Sequence, residues 1–361
     1  MRPLGAVIVG GYTDKHGRKA GLTLSIALMM VGTVMMLVTP GYATIGLAAP
    51  IIITIARLLQ GFSVGGEFGS AVAFLVEHGH ERKGYSASWQ WASTGIISVI
   101  VSLFGVVLTT QLTHAQLVDW GWRVPYIFGL LIGPAGLYIR SRMSETPEFL
   151  AAAKPAAVPI GDLLRSHPMS VLLALGASVI SNSSYYLLLY IPTYGQKTLH
   201  LPASTGFIAT LVGGVILTIF SLVAGHASDK TPRPRIMLWA AWLFLLTSYP
   251  VFWLMVAYPS LAACVFAVGW LNLVKAGYSG VLPSLLSEQF PVETRAVGVA
   301  FSYSISVTIF GGFAPFFATW LISMTGDSFS PSYYLMATAF LSIVALMAIR
   351  RRPVCALAPA E

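Results

Sequence analysis

The sequence predicts an all-α, polytopic membrane protein, and three observations predict it: the composition, a succession of long apolar runs, and the sided placement of the basic residues. Across 361 residues the chain is 56% hydrophobic and 9% charged, against roughly 45–50% apolar and about 25% charged in an ordinary soluble protein. Crossing the hydrocarbon layer takes about 20 mostly apolar residues in a helix, because every backbone polar group has to be satisfied within the segment. Runs of that kind fall at about 20–38, 50–76, 84–112, 121–140, 169–195, 205–227, 236–257, 260–287, 296–323 and 331–349, which makes ten complete spans. The apolar piece 3–12 ahead of them is too short to cross at about 1.5 Å per residue, and is expected to be the end of a truncated span.

Assigning the loops alternately to two sides puts 16 of the 21 basic residues on one side, with Lys197 the only one in a loop of the other. Basic residues near helix ends mark the cytoplasmic face, so the span count and the orientation support each other. Trp120 and Trp122 then fall at the outer interface, where indole rings favour the headgroup layer. The net charge of +8 sits in short loops, which suits topology and anionic lipid headgroups rather than nucleic acid. Cys264 and Cys355 have no paired or metal-ligand spacing, so neither a disulfide nor a structural zinc is expected. No cleavable signal is read after Met1, since Arg2, Pro3 and an apolar stretch follow without a small-residue cleavage site. No cofactor is expected. Nor does any His-rich, Ser-His-Asp or paired-carboxylate constellation point to an enzyme; His78 and His80 beside Glu81, Arg82 and Lys83 suit a solvated turn.

The longest polar connection, 141–168, carries Pro147, Pro155, Pro159 and Pro168. It reads as a cytoplasmic linker between an incomplete amino-terminal half, 1–140, and a carboxy-terminal half, 169–350, with a tail at 351–361. A loose repeat agrees: Gly10-Gly11-Tyr12-Thr13-Asp14-Lys15 returns as Gly225-His226-Ala227-Ser228-Asp229-Lys230, so that Asp14 and Asp229 are 215 residues apart. Parallel repeats about the membrane normal would place both loops on one side.

The segment Gly10 to Lys19, which includes His16, Gly17 and Arg18, resembles the loop signature between the second and third spans of the major facilitator superfamily. Glycines there let helices approach closely, and an acid with two bases at a helix junction forms an electrostatic latch with helix termini; the plainer alternative is a solvated topogenic turn. Further blocks resemble the metabolite:proton symporter family within that superfamily. They are Arg2-Pro3-Leu4-Gly5, Arg57-Leu58-Leu59-Gln60-Gly61, Gly65-Gly66-Glu67, Trp120-Gly121-Trp122-Arg123-Val124-Pro125, Glu145-Thr146-Pro147-Glu148-Phe149, Phe290-Pro291, Arg295, Gly298, Ser302-Tyr303, Phe310-Gly311-Gly312 and Ala314-Pro315. The resemblance implies the major facilitator fold, with two pseudo-symmetric six-helix halves, from which this chain lacks the first span and most of the second. It also implies transport of an organic acid or zwitterionic osmolyte with protons. In the second latch Thr231-Pro232-Arg233-Pro234-Arg235 departs from the family's usual Gly-Arg-Arg ending, which leaves gating there less firmly inferred. The gating candidates are Asp14, Arg18 and Asp229.

The run 50–76 is the most informative. Gln60 and Glu67 are seven residues apart and so share a face to within about 20°, with Arg57 about 60° from Gln60. Gly61, Gly65 and Gly69 recur every four residues and form a packing stripe on another side. Charges in mid-membrane cost several kcal/mol and mark a pathway or a paired structural site. Arg123 follows the interfacial tryptophans and reads as a snorkelling residue. Arg57 and Lys275 are deep, in equivalent spans of the two repeats. They suit an anionic substrate, whose carboxylate offsets their desolvation; the alternative is neutralisation of each by an internal acid. Glu67 is the candidate proton carrier, or else a permanent ion pair. Gln90 and Asn272 complete the substrate-binding candidates with Arg57, Gln60 and Lys275, while Asn182, Tyr185 and Tyr186 suit hydrogen bonds between helices.

The function read from these residues is a proton-coupled symporter of the inner (plasma) membrane, importing a small organic anion such as a di- or tricarboxylate. Its partners are then that anion, protons and the lipid bilayer, with no nucleic acid and an oligomeric state left open. A carrier of proline or betaine-like zwitterions, or a truncated non-transporting remnant, are the alternatives.

Overall fold

The computed structural model describes residues 1–142 and 160–351. The greater part of the expected linker, the tail from 352 onward and the Arg18 side chain lie outside the described residues. The described chain is helical, in the order α1 (Arg2–His16), α2 (Arg18–Val38), α3 (Ala48–Glu77), α4 (Lys83–Gln111), α5 (Val124–Arg142), α6 (Pro168–Lys197), α7 (Ala203–Ser228), α8 (Arg233–Ala257), α9 (Leu261–Ser279), α10 (Arg295–Ser306), α11 (Ala314–Thr325) and α12 (Pro331–Arg351).

Among the described residues nine segments are long and apolar enough to cross a membrane: α2, α3, α4, α6, α7, α8, α9 with its extension to Ser287, α10 with α11, and α12. The tenth expected span, 121–140, does form the 19-residue helix α5, with a proline inside it at Pro134. It is not among those nine. Its three glycines and its terminal Arg140 and Arg142 dilute the apolar run.

Two expected spans are not continuous helices. The run 260–287 breaks after Ser279 and resumes as Leu282–Ser287. The run 296–323 opens into a π-helical turn, Val307–Gly311, before α11 begins. A π turn frees a carbonyl from the regular ladder, and here the Tyr334 hydroxyl donates to the Phe310 carbonyl at 2.5 Å. Gly311 is needed beside it, since a Cβ there would stand 2.8 Å from the Tyr186 ring.

The chain forms two compact units. One holds Met1–His78, Leu112–Val171 and Phe290–Ile305; the other holds Gly79–Gln111, Leu172–Gln289 and Ser306–Glu361. In the first, α1 lies against α3 at the glycines the sequence singled out. A Cβ on Gly65 would meet the Arg2 carbonyl oxygen at 2.1 Å, and one on Gly5 would fall inside contact with the Phe62 carbonyl. Hydroxyls tie α3 to both its neighbours, with Ser63 donating to the Ser25 carbonyl of α2 at 2.6 Å and Thr13 of α1 paired with Ser70 at 2.8 Å. Gly17, at φ 101°, occupies a backbone conformation that side-chain-bearing residues avoid. It lets α2 start directly where α1 ends.

In the second unit α4 and α7 pack through facing small residues. A Cβ on Gly95 would stand 2.8 Å from the Gly214 carbonyl, and one on Gly84 2.7 Å from the Gly225 carbonyl. Backbones this close gain dispersion contacts and short interhelical hydrogen bonds, the main sources of helix association in lipid. The Ser102 and Thr210 hydroxyls supply one such bond at 2.8 Å.

Candidate functional site

Four helices of the second unit surround a cavity of about 260 Å³. Ile97, Ser98, Val101 and Ser102 come from α4, Tyr185, Leu188, Leu189 and Pro192 from α6, Phe207, Thr210, Gly214 and Leu217 from α7, and Asn272 and Lys275 from α9. Its walls are chiefly apolar, with a few polar groups converging on them, as is common for small-molecule sites. Asn272 and Lys275 are thus brought together. Asn272 hydrogen-bonds the Val268 carbonyl at 2.9 Å, in space that exists because position 213 is glycine: a Cβ there would lie 2.4 Å from the amide nitrogen.

Lys275 is 1% exposed. Its ammonium stands 4.4 Å from the ring centre of Tyr185 and 4.9 Å from that of Trp91, and the two rings meet edge to face at 5.9 Å. Among the described residues no carboxylate pairs with it. Cation–π contact offsets part of the cost of burying the charge, about 2 kcal/mol when desolvated; the burial itself costs several. Lys275 thus brings a buried cationic group without an ion pair to the wall of the cavity. Gln90 is half-buried on α4 but does not line this cavity.

Arg57, Gln60 and Glu67 lie in the first unit, on α3. Arg57 is exposed and donates to the Gln60 amide oxygen at 3.2 Å and to the Tyr126 hydroxyl at 3.0 Å, while Gln60 donates to Thr33 at 3.3 Å. These partners are neutral, and among the described residues no carboxylate pairs with Arg57 either. Glu67 is half-buried. Arg123, by contrast, is committed to loop carbonyls, those of Asp119 at 2.6 Å and Thr39 at 3.1 Å.

The two latch aspartates repeat one device. In the first unit Asp14, 3% exposed, accepts from the Val297 amide at 3.0 Å, in the first turn of α10. In the second unit Asp229 accepts from the Gly84 amide at 2.6 Å and the Tyr85 amide at 3.0 Å, in the first turn of α4. A carboxylate there satisfies orphan N–H groups and complements the positive end of the helix dipole. Each latch also carries an ion pair that the sequence did not reveal. Arg295 meets Glu77 at 3.4 Å. Arg233 pairs with Glu288 and lies 3.9 Å from Asp229. The unusual second latch ending therefore keeps a working arginine four residues after its aspartate, at the spacing of Asp14 and Arg18.

Trp91, Tyr126, Thr33, Arg233, Glu77, Glu288 and Arg295 belong to these arrangements without having been singled out for them. For Trp91 a signal existed. Gly84, Ser88, Trp91, Gly95, Ser98 and Ser102 recur at spacings of four and three, a helix face of small residues interrupted by one large ring.

Residues 3–302 match the Major Facilitator Superfamily. The chain is 34% identical over 364 residues to a citrate-proton symporter of Klebsiella pneumoniae, covering 100% of this chain and 82% of that protein. It is 32% identical over 353 residues to a candidate proline/betaine transporter of Staphylococcus aureus (strain MSSA476), covering 96% and 75%. Among solved structures, that of a D-xylose-proton symporter superposes with a TM-score of 0.71 at 17% identity, over 97% of this chain and 85% of that one. That of an E. coli fucose:proton symporter variant gives 0.68 at 12% identity, over 97% and 88%. With its broken spans, paired aspartate caps and lysine-bearing cavity, the chain belongs to the major facilitator superfamily and, within it, to the metabolite:proton symporter family, and it is a membrane transporter rather than an enzyme.

Proposed function

We propose that the protein is a proton-coupled symporter that imports a small organic anion, a di- or tricarboxylate, across the inner membrane. The observation that carries this reading is Lys275: a buried ammonium beside a cavity, with aromatic faces around it and no carboxylate paired to it among the described residues. Such a group is costly until a negative charge reaches it. Asn272 is the polar contact beside Lys275, while Gln90 stands off this cavity; on α3, Arg57, held by neutral partners, and Gln60 are the further substrate-binding candidates. Glu67 carries the proton. Asp14 with Arg18, and Asp229, hold helix termini in one conformation and release them in the other, so that the site opens alternately to the two sides.

A zwitterionic osmolyte is the second reading, favoured by the resemblance to the S. aureus protein. A quaternary ammonium seeks open aromatic faces. Trp91 and Tyr185 already turn theirs to Lys275, and this supports the anion over the betaine.

The test is uptake of labelled citrate, proline and glycine betaine into proteoliposomes under an imposed pH gradient, with and without a protonophore. Citrate should accumulate, and the protonophore should abolish accumulation. Lys275→Gln should raise the half-saturation concentration for citrate roughly ten- to hundredfold, the worth of one charge-assisted contact of about 1.5–3 kcal/mol. Uptake of proline or betaine alone, or uptake indifferent to the protonophore, would overturn the proposal.

A further inference from the structure

Beside the proposed anion site, though not among the residues that line its cavity, stands a second unmatched group. Trp91 is 2% exposed, and its indole Nε1–H finds no acceptor among the described residues. Buried donors are almost always paired, and one left without an acceptor forfeits its hydration for nothing in return. This donor belongs to the ring whose centre lies 4.9 Å from the Lys275 ammonium. Lys275 makes no ion pair among the described residues either. The ring that carries the unmatched N–H also turns its face to an ammonium without an ion pair, so two hydrogen-bond donors share one neighbourhood, the N–H in the ring plane and the ammonium over it.

From this we infer that Trp91 is a substrate-binding residue: its indole N–H and the Lys275 ammonium together hold one carboxylate group of the transported anion. The inference rests on the reading of Lys275 as an anion ligand and extends it. The chemistry is that of a bridged carboxylate, each oxygen accepting from one donor. A carboxylate has two oxygens and about four lone-pair sites, so neither bond excludes the other. A donor that is only N–H has no acceptor capacity and cannot serve a hydroxyl or ammonium donor in the same place. The ring also has a second duty before substrate binds, when its face shelters the ammonium. When the carboxylate arrives, the charge that the rings shelter passes to a full counter-charge.

The local sequence explains why the indole can be there. Trp91 stands on the α4 face of Gly84, Ser88, Gly95 and Ser102, where every neighbour is small. Gly95 and Gly214 bring α4 and α7 to near backbone contact. The one large ring in that stripe is therefore displaced toward α6 and α9, where Tyr185 and Lys275 are. A packing role alone would be met by an apolar ring such as that of phenylalanine, smaller than the indole but without an unmatched polar atom. That difference defines the experiment.

Trp91→Phe keeps an aromatic face but loses the fused five-membered ring along with its N–H; Trp91→His, assayed at pH 8, keeps a ring N–H in a smaller frame and so separates the loss of the donor from the loss of volume. Half-saturation and maximal rate for citrate are measured in proteoliposomes for both variants and for Lys275→Gln, each first checked for a single symmetric peak on size exclusion in detergent. Citrate binding is followed in parallel as the change in intrinsic fluorescence, with Trp91→Phe identifying the part due to Trp91. Removing a hydrogen bond to a charged group corresponds to a change of about tenfold or more. The expected results are a rise of that size in half-saturation for Trp91→Phe with little change in maximal rate, partial recovery in Trp91→His, and loss of the citrate-induced fluorescence change in Trp91→Phe. If Lys275→Gln weakens citrate while Trp91→Phe leaves half-saturation unchanged, Trp91 is only a wall of the cage and this inference fails while the anion reading stands. If Lys275→Gln leaves half-saturation unchanged, the anion reading fails, and this inference with it. Should Trp91→Phe not fold, equal half-saturation in Trp91→His and Trp91→Leu would overturn the role of the N–H.

Discussion

Replacing Asp229 by asparagine separates the charge of the latch from its shape. The aspartate accepts two amides, Gly84 at 2.6 Å and Tyr85 at 3.0 Å, with one oxygen each. An asparagine has a single oxygen, so one of the two bonds is lost and its NH₂ is turned toward an N–H donor. A hydrogen bond to a charged group contributes about 1.5–3 kcal/mol. The negative charge at a helix N-terminus contributes about 0.3–1 kcal/mol more. The cap on α4 is then weaker by about 2–4 kcal/mol, a shift of roughly 30- to several-hundredfold in the equilibrium between capped and uncapped states. The neighbouring ion pair of Arg233 with Glu288 remains and keeps the loop from unravelling. Two measurements follow on Asp229→Asn: the thermal midpoint in detergent, and citrate counterflow, which reports turnover without a proton gradient. The midpoint should fall by several degrees and counterflow should slow. If the midpoint falls but counterflow is unchanged, the carboxylate is a structural cap with no part in gating. If neither moves, the energetic reasoning is wrong.

Three further outcomes are expected. Gly65→Leu should sharply reduce folded yield in membranes, because even a Cβ there would meet the Arg2 carbonyl oxygen at 2.1 Å; normal yield with altered substrate preference would make Gly65 a cavity residue instead. Glu67→Gln should uncouple citrate accumulation from the pH gradient while sparing counterflow, and accumulation driven by pH alone in that variant would send the proton elsewhere. Glu77→Gln should destabilise the first unit by about 3–5 kcal/mol, the cost of breaking a buried pair from one side, since Glu77 is 1% exposed and its partner Arg295 remains; an unchanged thermal midpoint would show that the pair is not structural.

Much of the fold was legible because lipid leaves a chain few choices. Among the described residues nine of the ten apolar runs form segments long and apolar enough to cross a membrane, and Gly65 and Gly69 of α3 sit where neighbouring helices come into close backbone contact. Lys275 was visible too, as a rare charge in an apolar run. What the sequence hid were partnerships across great separations. Glu77 and Glu288 each stand one residue beyond the end of an apolar run, where an acid looks like the start of a loop; yet Glu77 is buried against an arginine 218 residues away. Trp91 was overlooked beside Gln90, since periodicity identifies a face but not what the face meets. The π turn at Val307–Gly311 was invisible for a related reason: Phe310-Gly311-Gly312 fits a continuous apolar run, and only the Tyr334 hydroxyl shows that a carbonyl has been freed there.

The division of the chain into two compact units bears on the order of synthesis. The first unit draws its last segment from Phe290–Ile305, and the second takes Gly79–Gln111 from the early part of the chain. A ribosome that has delivered α1, α2 and α3 has therefore not delivered the amide that Asp14 accepts, which belongs to Val297. Through most of translation Asp14 and Glu77 wait without α10. Contacts so distant in sequence form slowly, and incompletely paired intermediates are where misassembly begins. A nascent chain stalled before residue 295 should thus be markedly more sensitive to membrane proteases than one released only a few tens of residues later.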